Sequence, residues 1–136
     1  MKCMDDRSAG IPVLDEQHLD VFECFVFVKR TMARGGGWND THLALEALIK
    51  SFEFCAAVEE SLMRIHDYPG YEGHRKEHVD LLLGLREMEK ANLSTELTEK
   101  MIGSAFASTL KHHLAQDRSC ARYLPWLSGQ APKIRR

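Results

Sequence analysis

The chain has 136 residues, of which 44% are hydrophobic and 28% are charged, and this fits one globular domain over residues 1–136. Its formal net charge of -2 gives no electrostatic basis for binding nucleic acid or an anionic membrane, so we expect neither partner. The first ten residues lack the apolar core of a signal peptide, and the longest apolar run is too short to span a bilayer. We therefore expect a cytoplasmic protein.

Three interruptions rich in glycine, proline or capping residues divide the chain: GGGWND at 35–40, YPGYEG at 68–73 and NLST at 92–95. Between them, apolar residues recur at steps of three and four, which predicts helices over roughly 12–34, 40–66, 71–91 and 95–122. Short loops between amphipathic helices favour an all-α fold, an up-down antiparallel four-helix bundle. We expect residues 129–136, which end in KIRR, to form a mobile tail.

Each predicted helix has one apolar stripe that should face the core. These stripes comprise Leu14, Val21, Phe22, Phe25, Val28 and Met32 on the first helix, Leu45, Leu48, Phe52 and Leu62 on the second, Leu81, Leu85 and Met88 on the third, and Met101, Ala105 and Ser108 on the fourth. The four helices are thus expected to enclose a single core.

Polar side chains share these inward stripes. They are His18 on the first helix, Cys55 and Glu59 on the second, His74 and His78 on the third, and His112 on the fourth. The i, i+4 spacing of His74 and His78 puts both imidazoles on one face, an arrangement suited to chelating one metal ion. Without a cation, this core would bury a carboxylate among imidazoles. The pattern therefore predicts a metal centre.

Asp117 follows His112 by five residues, which is a turn of about 140° on an ideal helix. It reaches the core only if the helix is locally distorted or if it serves a second ion, and the spacing therefore indicates two metals. The other histidines, His42, His66 and His113, are predicted to be surface or structural residues. Glu60, next to Glu59, is predicted to be solvated.

The joint pattern resembles the hemerythrin family, in which a lone His, HxxxE, HxxxH and HxxxxD come from successive helices. The matching segments here are GIPVLDEQH ending at His18, EESLM followed by YP and HRKEH, and HHLAQD ending at Asp117. The resemblance implies two non-haem iron ions. His74, His78 and His112 would hold one, His18 and the residue at position 55 the other, and Glu59 and Asp117 would bridge them. It also implies an open position on the second iron, where O2 binds beside an apolar pocket.

Two positions depart from the family pattern, and both are cysteines. Cys55 stands where the second-helix histidine ligand is expected, and Cys3 stands where the family commonly has a pocket-lining tryptophan. Cys55 has three interpretations: a thiolate ligand, an unligated thiol that leaves the iron one donor short, or a small core hydrophobe at a site whose metal is weak or lost. A further hypothesis is a redox switch between Cys3 and Cys55.

We therefore expect a protein that binds or senses O2, nitric oxide or peroxide at an iron site altered by Cys55. A simple carrier is not expected by default. No catalytic residue is predicted, and the pattern favours a protein that is not an enzyme while leaving weak reactivity toward peroxide or nitric oxide open. One alternative is a redox- or gas-responsive binding module whose partner protein would be a separate chain. Another is a zinc peptidase, because HRKEH matches HxxEH with Glu77 as general base. The peptidase interpretation gives no role to four other candidate ligands: His18, Glu59, His112 and Asp117.

Overall fold

The computed structural model describes residues 12–90, 95–117 and 119, with side chains described for residues 15–90, 99–116 and 119. Four α-helices span Pro12–Ala33 (α1), Trp38–Ile65 (α2), Tyr71–Lys90 (α3) and Thr95–His112 (α4). These bounds lie within two residues of the predicted ones for α1 to α3. In the described part of the chain there is no β-strand, which confirms the all-α class, and none of these helices is long and apolar enough to cross a membrane.

The turn between α1 and α2 depends on glycine at two places. Gly35 has a φ of 73°, in the left-handed region where a side chain is strained. At Gly36 the backbone passes so close to α1 that an added Cβ would lie 2.7 Å from the carbonyl oxygen of Thr31. These two residues end α1 and allow α2 to fold back against it.

The helices form a four-helix bundle in which α1 packs on α2, α2 on α3, α3 on α4, and α4 closes against α1. The core contains the predicted stripe of α1 from Val21 onward, and Leu14 lies outside the residues whose side chains are described. Its buried members are Val21, Phe22, Phe25, Val28 and Met32 from α1, Leu45, Leu48 and Phe52 from α2, Leu85 and Met88 from α3, and Ile102 from α4. Burial of these apolar side chains is the main source of the stability of such a bundle.

The stripe predicted for α4 is partly wrong. Ser108 is exposed, whereas its neighbour Thr109 and Ile102 are buried. Serine, threonine and alanine differ little in hydrophobicity, so a segment that alternates them gives no strong signal for the inward face. On α2, Leu62 is half-buried, and Met63 is the fully buried residue at that end.

The fourth helix changes geometry next to His112. The α-helix ends at His112, and residues His113–Asp117 form one turn of π-helix. In a π-helix the hydrogen bonds join residues five apart, and isolated π turns are frequent at functional sites. A local distortion of the helix was one of the two ways in which Asp117 was predicted to reach the core, and the π turn is such a distortion.

Candidate metal centre

Glu59 lies at the centre of a buried cluster of histidines. Its Oε2 is 2.5 Å from His18 Nε2, while its Oε1 is 3.2 Å from His74 Nε2 and 3.1 Å from His78 Nε2. The two oxygens of one carboxylate thus point to different sets of imidazoles. If two donor atoms each lie about 2.1 Å from one ion and the angle between them at the ion is a right angle, they are about 3.0 Å apart. The observed separations are close to this value, as expected for donors that share a cation.

The first of two donor groups consists of Glu59, His74, His78 and His112, all buried, with their ligand atoms within 4.8 Å of one another. The three imidazoles come from α3 and α4, and their ring centroids are 4.6 to 4.8 Å apart. His74 and His78 are brought together by the single helical turn between them. His112 reaches the same point because α4 packs against α3.

Two further carboxylates support the imidazoles of this first group from outside. Glu60 Oε2 accepts a hydrogen bond from His78 Nδ1 at 2.8 Å, and Glu77 Oε1 accepts one from His112 Nδ1 at 2.8 Å. Histidines that bind metals commonly donate their second ring N–H to a carboxylate, which fixes the tautomer and raises the basicity of the other nitrogen. The prediction that Glu60 is solvated was wrong for this reason: Glu60 is half-buried against His78.

His78 shows why the cluster requires a positive charge. Its Nδ1 faces Glu60 and its Nε2 faces Glu59 Oε1, so each ring nitrogen is opposed by a carboxylate oxygen. A neutral imidazole has only one N–H, and its other nitrogen would then present a lone pair to a carboxylate lone pair. Either a second proton or a metal ion must lie between them.

The second donor group consists of His18, Cys55 and Glu59, again all buried and with ligand atoms within 4.8 Å of one another. His18 comes from α1, and Cys55 and Glu59 lie one turn apart on α2. Cys55 also packs in the apolar core. The group shares Glu59 with the first, which gives two adjacent positions for cations with one carboxylate between them.

The remaining predicted ligand, Asp117, is the last residue of the π turn. In such a segment the backbone hydrogen bonds join residues five apart. The side chain of Asp117 lies outside the described residues, and its role as a ligand stays a prediction. Cys3, and with it the predicted Cys3 to Cys55 switch, also lies outside them.

The other histidines divide into two kinds. His42 stacks on Trp38 with ring centroids 4.7 Å apart and lies 3.9 Å from Glu46, and His66 is half-buried at the end of α2. His113, in contrast, is 1% exposed, and its ring centroid lies 4.4 Å from that of His18. His113, the first residue of the π turn, is therefore not at the surface, which leaves the structural role of the two predicted for it.

The hemerythrin HHE cation binding domain is the family whose sequence profile matches residues 9–121. The chain belongs to this family. No curated protein and no solved structure gave a significant match. Membership in the hemerythrin family supports a function in binding metal cations, and the His and Glu cluster is where such a cation fits. Nitrogen and oxygen donors backed by carboxylates are chemically suited to iron and other first-row metals.

Proposed function

We propose that this hemerythrin-family chain is a non-haem diiron protein that binds or senses O2 or a related small molecule such as nitric oxide or peroxide. One observation carries the proposal: Glu59 directs one oxygen to His74 and His78 and the other to His18. A carboxylate divided in this way between two buried donor groups is suited to bridge two ions.

In this proposal His74, His78 and His112 hold one iron, His18 and Cys55 belong to the other, and Glu59 and Asp117 bridge them. Bound iron would supply a redox-active centre that accepts a small ligand. The chain's own contribution is to fix the donors, because Glu60 and Glu77 hold the tautomers of His78 and His112. Burial of the cluster excludes bulk water from it.

Cys55 is the residue that would distinguish this site from a reversible carrier. A thiolate in place of a neutral imidazole adds a negative charge and favours the ferric state, while an unligated thiol leaves the ion one donor short. The nearness of Cys55 to His18 and Glu59 supports a role at the ion under either interpretation. An intense visible absorption band that disappears in Cys55→Ala would identify the thiolate ligand.

We also infer the up-down antiparallel course of the bundle that this site needs. His78 contacts Glu60, and Arg86, later in α3, contacts Glu53, earlier in α2. Residues later in α3 thus contact residues earlier in α2, which supports opposite directions for these two helices.

The test begins with the metal content per chain, measured by elemental analysis on protein produced with iron and zinc both present and purified without chelator. We expect about two irons per chain, and the reduced protein should then change its absorption spectrum with O2 or nitric oxide. Cys55→His should restore the family's ligand set and give a more stable oxygenated band. One zinc per chain, or no metal, would contradict the diiron proposal.

A further inference from the structure

A further group of metal-ligating side chains lies toward the opposite end of α2 from the buried histidines. His42, Glu46 and Glu89, which we call the outer cluster, each place a ligand atom within 4.8 Å of the other two. All three residues are half-buried. At a rise of 1.5 Å per residue, His42 and Glu59 lie about 25 Å apart along α2. The outer cluster is therefore separate from the metal centre described above.

Two helices supply the donors of the outer cluster. The i, i+4 spacing of His42 and Glu46 puts both on one face of α2, and Glu89 comes from α3, which packs against α2. His42 Nε2 lies 3.9 Å from Glu46 Oε2, which is too long for a hydrogen bond. Two donors at about 2.1 Å from one tetrahedral ion are about 3.4 Å apart. A small rotation of either side chain therefore brings both to one ion.

Trp38 orders the imidazole of the outer cluster. It precedes His42 by one turn of α2, and the two rings stack with centroids 4.7 Å apart and planes 12° apart. Stacking covers one face of the imidazole while Nε2 stays directed at Glu46. A side chain that is already ordered loses less conformational entropy when it binds an ion. The position of this ring is therefore favourable for a metal ligand.

The charge of the outer cluster also favours a cation. Lys50 Nζ lies 3.4 Å from Glu46 Oε1, whereas Glu46 Oε2 is the oxygen that faces His42. With a neutral imidazole, the carboxylates of Glu46 and Glu89 and the ammonium of Lys50 together carry one negative charge. One nitrogen and two oxygen donors suit first-row divalent ions, and zinc binds imidazole and carboxylate without a strict demand on geometry.

We propose that His42, Glu46 and Glu89 bind one zinc ion that joins α2 to α3. Three protein donors leave the fourth tetrahedral position to water. Because the donors are half-exposed and Lys50 competes for Glu46, zinc at the outer cluster exchanges with the solvent and is removed by dialysis. The inference does not depend on which ions the buried cluster holds.

The experiment titrates Zn2+ into the dialysed, iron-loaded full-length chain by calorimetry, and elemental analysis counts both metals in the same samples. We expect one zinc per chain in addition to the metal of the buried cluster. Glu89→Gln removes the donor from α3, and Glu87→Gln makes the same change of charge at an exposed position on that helix. Loss of a partner behind a ligand lowers metal affinity about ten- to hundredfold. Glu89→Gln, which loses a ligand itself, should weaken zinc binding by at least that factor, whereas Glu87→Gln should match the unmodified chain.

Three outcomes would overturn the inference: no additional zinc in the unmodified chain, loss of iron in proportion to the zinc taken up, or equal zinc affinity in Glu87→Gln and Glu89→Gln. Failure of the diiron proposal is a separate result. If the buried cluster holds another metal or none, the outer cluster is still tested by the one zinc per chain that Glu89→Gln loses and Glu87→Gln retains.

The fluorescence of Trp38 shows where the added ion binds. In a Trp126→Phe background Trp38 is the one tryptophan of the chain, and its ring is stacked on His42. Ni2+ binds the same kinds of donors and quenches the fluorescence of a nearby indole. We expect Ni2+ to quench Trp38, and Glu89→Gln to raise the required concentration at least about tenfold. Equal quenching in Glu87→Gln and Glu89→Gln would mean that the ion binds elsewhere and would overturn the inference.

Discussion

The two donor groups that share Glu59 differ in how completely they are built. The first has three imidazoles in addition to Glu59, and the outer carboxylates Glu60 and Glu77 fix two of them. The second has one imidazole, one thiol and Glu59. Within one buried cluster, therefore, one position has more protein donors than the other.

The difference follows from which helices supply the donors. The imidazoles of the first group come from α3 and α4, and the half-exposed carboxylates behind them come from the outer parts of α2 and α3. The second group faces α1, whose side chains around His18 are the apolar Val21 and Phe22. Carboxylates are expensive to bury in such an apolar setting, which is a physical reason for the smaller number of donors on this side.

The largest expected effect comes from the residue that both groups share. Glu59→Gln keeps the volume of the side chain but replaces one carboxylate oxygen with an amide nitrogen. It also removes the negative charge that the two cations would share. We expect metal content to fall from about two ions per chain to near zero by elemental analysis. Glu72→Gln, an exposed acid on α3, should keep both ions. Retention of two ions in Glu59→Gln would contradict a bridging role.

Chelation tests whether the two groups hold their ions with unequal strength. We expect a competing chelator to withdraw metal in two phases, with the ion of the second group leaving first because that group has fewer donors. A ligand that binds only the folded state at a thousand times its dissociation constant stabilises it by about 4 kcal/mol. The melting temperature, measured after each phase, should therefore fall in two steps. Simultaneous release of both ions would show that the groups are equivalent.

Substitution of the outer carboxylates should weaken the first group selectively. Glu60→Gln and Glu77→Gln remove the acceptors of His78 Nδ1 and His112 Nδ1, and loss of such a partner typically lowers metal affinity about ten- to hundredfold. Competition with a chelator measures the change for each ion. Glu46→Gln, on the same helix as Glu60 but paired with His42 and Lys50, is the control. An equal loss of affinity for both ions would mean that Glu60 and Glu77 act on the whole bundle and not on the first group.

The smallest expected effect is on the rate at which the thiols of Cys24 on α1 and Cys55 on α2 are alkylated. Burial raises the pKa of the Cys24 thiol above its ordinary value of 9.0, a hydrogen bond with Ser51 opposes this, and the nearby acids Asp20 and Glu23 add to it. The thiolate of Cys24 therefore forms only at higher pH than usual, and its alkylation should be slow at pH 8 and accelerate as the pH rises beyond 9.0.

Cys24 then provides an internal reference for Cys55. Mass spectrometry after alkylation should show the same modification of Cys24 with and without metal, whereas Cys55 should react faster once the metal has been removed. Equal protection of Cys55 in both states would indicate that it is a core hydrophobe with no contact to the ion.

Much of the fold could be predicted from the sequence because helical periodicity is a local property. The glycine and proline interruptions set the number of helices, and the steps of three and four identified the buried stripe of α1. The same spacing picked out the donors that meet around Glu59, since strongly polar residues on an apolar face are conspicuous. Ser108 was predicted to be buried, whereas Thr109 is the buried residue. The neighbouring residues are small and differ little in hydrophobicity, so packing against the other helices decided which of the two is buried.

The sequence by itself determined the class of the protein: four amphipathic helices, each carrying a donor at a core-facing position. Only the tertiary structure decided which acids support the histidines and that His113 is buried beside His18. The physical reason is that periodicity fixes the direction of a side chain within its own helix. The partner across the interface depends on how neighbouring helices are rotated and offset, and for His113 also on the π turn that follows α4.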